Sequence, residues 1–454
     1  MWMDRSDKPR KRSRTTAYKT YRLGRIGERR WRMSGEKLIF HVDVNSAFLS
    51  WEAVERLKHP EQFPEITVDL RDIPSAVGGD RSKRHGIILA KSIPAKKYKV
   101  QTGEPITDAL KKCPNLVLVP SRHGIYREYS RAFISILKRY SDVIEQCSID
   151  ECFVDMTGTE KLFGPPVESA TRIKDEICHE LGFTVNVGIS TNKLLAKMAS
   201  DFKKPDLVHT LFPHEIPDKM WKLPVGNLFL VGKSTERTLH TLGIHTIGEL
   251  AHTDPQILRG ALKKQGEVIW KFANGEGASL IEPEPADNKS YGNATTIAFD
   301  VTDESTANMV LMSLAETVGR RLRSDSAKAE VVTVNIRYSD LSRVSHQCEL
   351  SHATNITNEI YGMACRLFEE LWDGRPVRLL GIQTSRIRQA GDGRQLSLFD
   401  DGNYEKLEKL DRAMDSIRER YGSDAVKRAS FLSKSDSGKP RIDPSPGKEK
   451  HFGR

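Results

Sequence analysis

The segment Ser148-Ile149-Asp150-Glu151-Cys152-Phe153-Val154 places two adjacent carboxylates at the bend of an otherwise apolar strand-turn-strand. A third carboxylate, Asp43, ends the buried strand that Leu38-Ile39-Phe40-His41-Val42-Asp43-Val44 predicts. Uncompensated carboxylates are costly in such strands, so a bound cation or several hydrogen bonds must offset them. At a bend, Asp150 and Glu151 can both turn toward one hard cation together with Asp43.

The carboxylates also have a plainer interpretation. An Asp-Glu pair is more often a solvated turn, and Asp43 alone could cap the helix that follows. Two Mg²⁺ ions held by the three carboxylates would instead activate a hydroxyl nucleophile and stabilise a leaving pyrophosphate. The residues alone leave both interpretations open, and we interpret His41 and Asp155 as structural.

The segments around these carboxylates alternate between strand and helix patterns. Beyond the first strand and the strand-turn-strand at Cys147 to Met156, the periodicity predicts helices at Ser46 to Leu57, Tyr126 to Tyr140 and Val167 to Leu181, and a strand at Thr184 to Ser190. This order favours an α+β fold with helices on one face of a sheet. A second α+β region follows a Pro-, Gly- and acid-rich stretch at Glu276 to Lys289, and a helix is predicted at Tyr404 to Tyr421.

Length and composition favour a multidomain protein that is not anchored in a membrane. The 454 residues with 38% hydrophobic content can bury several cores, since single cores stop growing near ~250 residues. Neither a run of about 18 apolar residues nor an apolar signal core occurs, so we expect a cytoplasmic protein. Six scattered cysteines without a CxxC pair argue against a disulfide framework and a zinc site.

The net charge of +10 is concentrated at the N-terminus. Residues 1–33 hold 12 Lys or Arg against 3 Asp or Glu, so the rest of the chain is close to neutral. This segment is typical of a basic disordered tail, or it precedes a true start at Met33. Overall charge is therefore weak evidence for nucleic-acid binding, and the interpretation depends on local motifs.

Three segments together resemble the palm motifs of Y-family (translesion) DNA polymerases, of the bacterial DNA polymerase IV and UmuC-like type. They are His41 to Phe48, Ser148 to Asp155 and Gly188 to Lys197, in the family's order and at suitable spacing. The resemblance runs from about Leu38 to Phe399. It implies a multidomain right-hand polymerase with palm, fingers, a helical helix-hairpin-helix thumb and an α+β little finger. It also implies error-prone, template-directed DNA synthesis without proofreading.

The resemblance and the composition boundaries together imply ten segments. They are a basic disordered tail (1–33), the first palm strand (34–45), fingers (46–121), palm (122–211), thumb (212–276), linker (277–290), little finger (291–390), a clamp-binding segment (391–403), a C-terminal helix (404–432) and a disordered tail (433–454).

The resemblance also assigns roles to individual residues. Asp43, Asp150 and Glu151 take the positions of the catalytic metal ligands, with the Val44 carbonyl as a further ligand, and would hold two Mg²⁺ ions. Phe48 takes the position of the aromatic steric gate that excludes a ribose 2′-hydroxyl. Core packing in a helix is the alternative role for Phe48.

Nucleotide contacts are implied for three lysines. Lys197 and Lys204 align with lysines that meet the incoming triphosphate, a role that suits point charges. In the fingers, Ile93-Pro94-Ala95-Lys96 stands where the family commonly has Tyr-Glu-Ala-Arg, so the stacking tyrosine is absent and Lys96 replaces the bidentate arginine. We expect this departure to change the rate and the substrate selectivity, but not the reaction.

DNA contacts are implied at two glycine-containing turns. Gly78 and Gly79 match fingers glycines that let the backbone approach the templating base pair, although a plain tight turn is the alternative. Gly232 and Lys233 lie in a sequence that resembles a helix-hairpin-helix, whose backbone N–H groups bind a DNA phosphate. Leu230 replaces the first glycine of that motif, from which we expect a weaker phosphate contact.

The short segment Gln395-Leu396-Ser397-Leu398-Phe399 matches the bacterial clamp-binding peptide. A polar segment that presents Gln395, Leu396 and the pair Leu398 and Phe399 can insert apolar anchors into a partner's pocket. The implied partners are primer-template DNA, deoxynucleoside triphosphates and the β subunit of the bacterial sliding clamp. We expect a monomer without a membrane partner.

Two other functions fit parts of the sequence. A helix-hairpin-helix DNA-binding protein would use its carboxylates only for folding. A palm-fold nucleotide cyclase would share the paired carboxylates and metals, but it would need neither a DNA-binding thumb nor a clamp peptide. Primer extension separates the polymerase from both.

Overall fold

The computed structural model describes residues 37–65, 68–79, 86–284, 287–389, 404–422 and 424–431. The strands of this part of the chain are β1 (Ile39–Val44), β2 (Ser75–Gly78), β3 (Ile88–Lys91), β4 (Val117–Pro120), β5 (Ile144–Gln146), β6 (Glu151–Asp155), β7 (Val185–Ser190), β8 (Val208–Thr210), β9 (Ser290–Val301), β10 (Ala327–Tyr338), β11 (Arg343–Thr354) and β12 (Val377–Gln389).

The α-helices of the same residues alternate with these strands and also form one strand-poor stretch. They are α1 (Ala47–Lys58), α2 (Ile93–Lys97), α3 (Ile106–Lys112), α4 (His123–Leu137), α5 (Glu160–Phe163), α6 (Pro166–Leu181), α7 (Lys193–Asp201), α8 (Ile216–Lys219), α9 (Lys233–Thr241), α10 (Ile247–His252), α11 (Pro255–Leu262), α12 (Lys264–Ala273), α13 (Glu304–Ser324), α14 (Thr357–Leu371) and α15 (Tyr404–Tyr421).

A five-stranded sheet has the order β5-β6-β1-β7-β8, with β1 antiparallel to both of its neighbours. All six residues of β1 are buried. Phe40, Val42 and Val44 alternate along one face and pack into a core with apolar residues of α1, α4 and α6. The near-continuous apolar run of β1 is therefore explained by cover on both faces.

The opposite face of this sheet carries α7. His41 and Asp43, which alternate with the core residues of β1, both contact α7 side chains. A Cβ at Gly188 on β7 would lie 2.0 Å from the Ala196 carbonyl oxygen, so only glycine permits this close approach. The sequence predicts helices on one face of the sheet, and the structure corrects this because α7 covers the second face.

The carboxylate hairpin begins differently from the sequence prediction. Its strands are β5 and β6, and residues 147–150 form the turn between them. The Ser148 hydroxyl oxygen accepts hydrogen bonds from the backbone N–H groups of Asp150 at 3.3 Å and Glu151 at 3.1 Å. These bonds stabilise a turn where the apolar pattern predicts a strand from Cys147.

A three-stranded sheet of order β3-β2-β4 joins α2 and α3 in a smaller region. Helix α1 connects it to the five-stranded sheet because it is buried on two sides. Trp51 and Val54 pack into the core of the five-stranded sheet, while Leu49 and Ala53 pack with residues of β2, β3 and β4.

Residues 212–276 form a helical region that contains α8 to α12. Leu194, Leu195 and Met198 of α7 belong to its hydrophobic core, so α7 joins this region to the five-stranded sheet. The chain that follows stays in contact with the sheet, since Ile281 is buried against Ile39 and Ala196. The first residues of the predicted linker are thus held in place.

A four-stranded antiparallel sheet of order β11-β10-β12-β9 follows, packed against α13 and α14. Helix α15 is attached to it by ion pairs, of which Arg323 with Asp411 is the most buried. Among the described residues, every helix is too short or too polar to cross a membrane.

Candidate active site

The carboxylates of Asp43 and Glu151 come together because β1 and β6 are adjacent and antiparallel. In the strand register, Asp43 lies directly opposite Glu151, and such cross-strand pairs have Cβ atoms about 4.5 to 5.5 Å apart. The Val44 N–H donates to the Asp150 carbonyl oxygen at 3.0 Å, which brings the end of β1 against the turn. Residues more than a hundred positions apart in sequence therefore form one acidic end of the sheet.

Two lysines neutralise this acidic end. Lys204 Nζ lies 2.9 Å and Lys197 Nζ 3.4 Å from Asp43 Oδ2, and Lys197 also donates to Glu151 Oε1. Asp201, one turn after Lys197 on α7, holds Lys204 at 2.8 Å and Lys197 at 3.7 Å. The role of Asp201 as a counter-ion was missed by the sequence analysis, although its i+4 spacing from Lys197 is a usable signal.

The acids of this site have pKa values shifted in opposite directions. Burial alone would raise the pKa of Asp43, but Lys204 and Lys197 outweigh it and hold this pKa below the usual range. Burial raises the pKa of Glu151 despite its bond to Lys197. It also raises the pKa of Asp150, with the charge of Asp43 acting in the same direction. Such opposed shifts are typical of functional sites.

Two polar side chains lie behind the carboxylates, and one of them, Ser148, orients Asp150. Ser148, which the sequence analysis did not single out, donates its hydroxyl to Asp150 Oδ1 at 2.6 Å. His41 is buried beside the site, with Nδ1 2.8 Å from the Ser200 hydroxyl and Nε2 3.9 Å from Glu151 Oε2. Burial, helped by the charge of Lys197, lowers the pKa of His41 to about 3, so its ring is neutral. Asp155 pairs with Lys37 at the other end of β6, as its structural interpretation requires.

The donor set of this site suits a hard divalent cation. Among the described residues, no group of three His, Cys, Asp or Glu side chains converges closely enough to hold a metal as it stands. The carboxylates of Asp43 and Glu151 instead share the ammonium group of Lys197. Asp150 lies beside these two carboxylates, and burial raises its pKa. Three carboxylates in this arrangement fit the oxygen ligands that Mg²⁺ prefers.

Phe48 lies in the first turn of α1, five residues after Asp43. It is half-buried and stacks on Tyr126, with ring centroids 4.5 Å apart and planes at 14°. The backbone reaches α1 through Ser46, which has a positive φ of 48°. This left-handed residue turns the chain sharply, so Phe48 follows the carboxylate end of β1 closely.

The fingers-like residues lie in the three-stranded sheet region. Lys96 is in the last turn of α2 and exposed, while Ile93 at its start is 52% exposed. Burial, together with the charge of Lys96, lowers the pKa of Lys91. Gly78 ends β2, where a Cβ would lie 2.8 Å from Ile106 Cδ1, and the Gly79 N–H donates to Ile87. A side chain at position 78 would therefore require a shift of the Ile106 side chain.

The helix-hairpin-helix-like sequence forms the start of α9. Gly232 is the residue before α9 and Lys233 its first residue, and a Cβ at Gly232 would meet no atom within 4 Å. No side chain caps the start of α9, and the side of Gly232 on which a Cβ would project is open. Leu230, in place of the usual glycine, has a positive φ of 68° and is 51% exposed.

The predicted clamp-binding residues Gln395, Leu396, Leu398 and Phe399 lie outside the described residues. The basic tail at residues 1–33 lies outside them as well. Their predicted roles therefore depend on the sequence alone.

Comparisons with known proteins cover both halves of the chain. Residues 42–201 match the impB/mucB/samB family, and residues 288–398 match the C-terminal domain of that family. A protein of Clostridium acetobutylicum named DNA polymerase IV is 48% identical over 88% of this chain and 99% of its own length. A protein of the same name from Acetivibrio thermocellus is 39% identical over 90% of this chain and 100% of its own length.

A solved structure shares the fold. A Y-family DNA polymerase chimera superposes with a TM-score of 0.64 at 24% identity, over 78% of this chain and 99% of the chimera. These similarities span the five-stranded sheet, the helical region and the four-stranded sheet together, which neither a cyclase nor a lone helix-hairpin-helix protein would require. The chain belongs to the Y family of DNA polymerases and has the α+β, multidomain right-hand fold of that family.

Proposed function

We propose that this chain is an error-prone DNA polymerase that adds deoxynucleotides to a primer 3′-hydroxyl across damaged template. The carrying observation is the pairing of Asp43 with Glu151 at one end of the five-stranded sheet, with Asp150 beside them and Lys197 and Lys204 facing them. Acids that can hold cations beside lysines that can hold phosphates suit nucleotidyl transfer.

Two Mg²⁺ ions would be held by Asp43, Asp150, Glu151 and the Val44 carbonyl. When bound, they would supply positive charge that acidifies the primer hydroxyl and stabilises the leaving pyrophosphate. In the chain alone, Lys197 provides the compensating charge for two of these acids. Cation binding would free the ammonium groups of Lys197 and Lys204 to contact the triphosphate.

Sugar and phosphate selection would involve residues outside the sheet. Phe48 would act as the steric gate, because its ring follows the carboxylate end of β1 and is supported from behind by Tyr126. Lys96 would contact the triphosphate as a point charge in place of the arginine. Burial and the charge of Lys96 lower the pKa of Lys91. An anion bound beside these two lysines would raise this pKa again.

DNA binding would divide among the regions that the family's architecture implies. The five-stranded sheet would be the palm, the three-stranded sheet the fingers, the helical region the thumb and the four-stranded sheet the little finger. Gly232 and Lys233 would meet a phosphate at the open start of α9, and Gly78 and Gly79 would approach the template. The sliding clamp would recruit the polymerase through the clamp-binding segment. The polymerase would act as a monomer in the cytoplasm, and it would have no proofreading site.

Primer extension with the purified chain tests this proposal. A labelled primer on intact and on lesion-bearing templates is incubated with each deoxynucleotide, with Mg²⁺ or with a chelator. We expect Mg²⁺-dependent extension past the lesion, with misincorporation and without shortening of the primer when nucleotides are omitted. Failure to extend even the intact template would contradict the proposal, and primer shortening would contradict the absence of proofreading.

A further inference from the structure

Four side chains behind Phe48 form a closed network between two helices. Phe48 and Glu52 lie one turn apart on α1, and Arg122 and Tyr126 lie one turn apart at the start of α4, a spacing that places each pair on one helix face. Phe48 stacks on Tyr126, and the Tyr126 hydroxyl donates to Glu52 Oε1 at 2.8 Å. Arg122 completes the network by donating to both carboxylate oxygens of Glu52.

The carboxylate at the centre of this network is held from several sides. Arg122 Nη2 lies 2.6 Å from Glu52 Oε2, and Arg56 Nε lies 3.5 Å from the same oxygen. Both guanidinium groups also lie over the ring of Phe63, at 4.4 Å for Arg56 and 4.5 Å for Arg122. Arg122 and Arg56 therefore hold Glu52 in position independently of its bond to Tyr126.

The burial of this network makes it unlike one that serves stability alone. Glu52 and Tyr126 are both fully buried, at 0% exposure. A buried ion pair is often no more stabilising than well-packed apolar residues of the same volume. What directional bonds add is orientation, since a satisfied polar network holds its members in one arrangement. The bond to Glu52 therefore restrains the orientation of the Tyr126 ring.

We propose that Glu52, acting through Tyr126, positions Phe48 and so sets the discrimination between deoxyribonucleotides and ribonucleotides. The inference rests on the proposed steric gate and assigns the residues that hold it in place. With Tyr126 held in place, its stacked ring opposes movement of Phe48 away from an incoming 2′-hydroxyl. Glu52 and Tyr126 contact no substrate atom in this account, so they are positioning residues.

The test measures kcat/KM for a deoxynucleotide and for its ribonucleotide in single-nucleotide incorporation. Tyr126→Phe removes only the hydroxyl and keeps the stacked ring, and Glu52→Gln keeps the volume and removes the charge. We expect the ratio of the two kcat/KM values to fall on the order of tenfold in each variant, equivalent to about 1.4 kcal/mol. The gain should come from ribonucleotide incorporation, with deoxynucleotide kcat little changed.

A neighbouring tyrosine supplies a matched control. The Tyr129 hydroxyl donates to Glu55 Oε2 at 3.1 Å, one turn further along both helices. Its ring stacks on Trp51 at 6.4 Å rather than on Phe48. Tyr129→Phe therefore removes the same kind of bond from the same helix pair, and we expect an unchanged nucleotide ratio. An equal fall in this control would overturn the proposal in favour of general loosening of the helices.

Phe48→Ala separates this inference from the gate on which it rests. If Phe48→Ala lowers the ratio while Tyr126→Phe and Glu52→Gln leave it unchanged, the gate stands and the positioning role is overturned. If Phe48→Ala also leaves it unchanged, the gate itself fails. We expect Tyr126→Phe to have no further effect in the Phe48→Ala background, because the residue it positions is gone; an additive effect would contradict the proposal. Thermal unfolding confirms that each variant is folded.

Discussion

At the scale of single residues, the site keeps charges that the fold alone would not favour. Asp43 and Glu151 face each other across two strands, and Lys197 bonds to both. Burial raises the pKa of Asp150 and Glu151, so their ionised forms reduce the stability of the folded chain. A loss of folding stability caused by buried charges is typical of sites where function requires the charge.

Removal of the Asp150 charge should therefore stabilise the metal-free chain. A carboxyl with a raised folded-state pKa favours folding below its unfolded pKa, and this contribution is lost as pH rises through the folded value. We expect Asp150→Asn to raise the melting temperature by a few degrees at neutral pH, with the gain disappearing as pH falls below the ordinary aspartate range. Thermal unfolding with a chelator, as a function of pH, checks this. A variant less stable than wild type at neutral pH would contradict the charge argument.

Phe48 has a role that can be tested by itself. Shortening it to alanine removes the ring that would clash with a 2′-hydroxyl, so we expect ribonucleotide incorporation to rise by one to two orders of magnitude, about 1.4 to 2.8 kcal/mol. Single-nucleotide kinetics with dATP and ATP measure the change. Identical discrimination in wild type and Phe48→Ala would show that the ring serves only core packing.

At the scale of secondary-structure elements, α15 is attached to the four-stranded sheet region through buried ion pairs. Asp411 is 5% exposed and accepts hydrogen bonds from Arg323 and from the backbone N–H of Thr357 at the start of α14. Arg323 also bonds to Asp415, so one buried guanidinium connects α13 with α15. Helix α15 is therefore an integral part of the four-stranded sheet region.

Loss of this attachment should be costly. Asp411→Ala leaves Arg323 with a buried charge that is only partly compensated, which we expect to destabilise the chain by about 3 kcal/mol. Denaturant unfolding measures the change. Glu405→Ala, at an 83% exposed side chain on the same helix, is the control and should change stability by less than about 0.5 kcal/mol. Equal effects of the two substitutions would contradict the docking role of Asp411.

The accuracy with which the sequence predicts strands and helices differs from one element to the next. The patterns place β1, α6 and α15 within about one residue of their observed bounds, because buried runs and helical periodicity are strong signals there. They miss β11, a strand at a sheet edge of which half the residues are exposed. His346 stands between Val344 and Cys348 on the inward face, so the alternation of apolar and polar residues is too weak to indicate a strand.

The candidate site shows the same division. Asp43, Asp150 and Glu151 could be predicted as candidate site residues, because burying a carboxylate in a strand costs free energy unless a cation or hydrogen bonds compensate it. The shared contact of Lys197 with Asp43 and Glu151 depends on the packing of α7 on β1 and β7, which no local pattern encodes. The sequence predicts a bend at Asp150 and Glu151, but it does not predict that the turn already begins at residue 147, because the Ser148 side chain replaces backbone partners there.

At the scale of the whole molecule, the regions are connected by a few shared elements. Helix α1 is buried in the cores of both the five-stranded and three-stranded sheets, and α7 in the core of the helical region. Asp43 and Glu151 lie on the five-stranded sheet and Lys197 on α7, the elements that these connections meet. Displacements of the helical region would therefore act on α7, which carries Lys197.

The proposed clamp peptide should determine recruitment without affecting chemistry. Replacing Leu398 and Phe399 by alanine removes two anchors that could contribute roughly 1.5 to 3 kcal/mol each, partly offset by the ordering of the peptide. We expect a micromolar affinity for the sliding clamp, about −8 kcal/mol, to be lost in the double variant. Calorimetric titration measures it, with distributive primer extension as the control. Equal affinities would show that another surface makes the contact.

The central claim is that Asp43, Asp150 and Glu151 form the nucleotidyl-transfer centre. The most direct test is single-turnover incorporation of one deoxynucleotide with Mg²⁺ by wild type, Asp43→Asn, Glu151→Gln and the matched control Asp155→Asn, an acid of the same strand that pairs with Lys37 instead. We expect the first two variants to lose incorporation by several orders of magnitude while they retain primer-template binding, and the control to stay close to wild type. Incorporation at wild-type rates by either site variant would contradict the account.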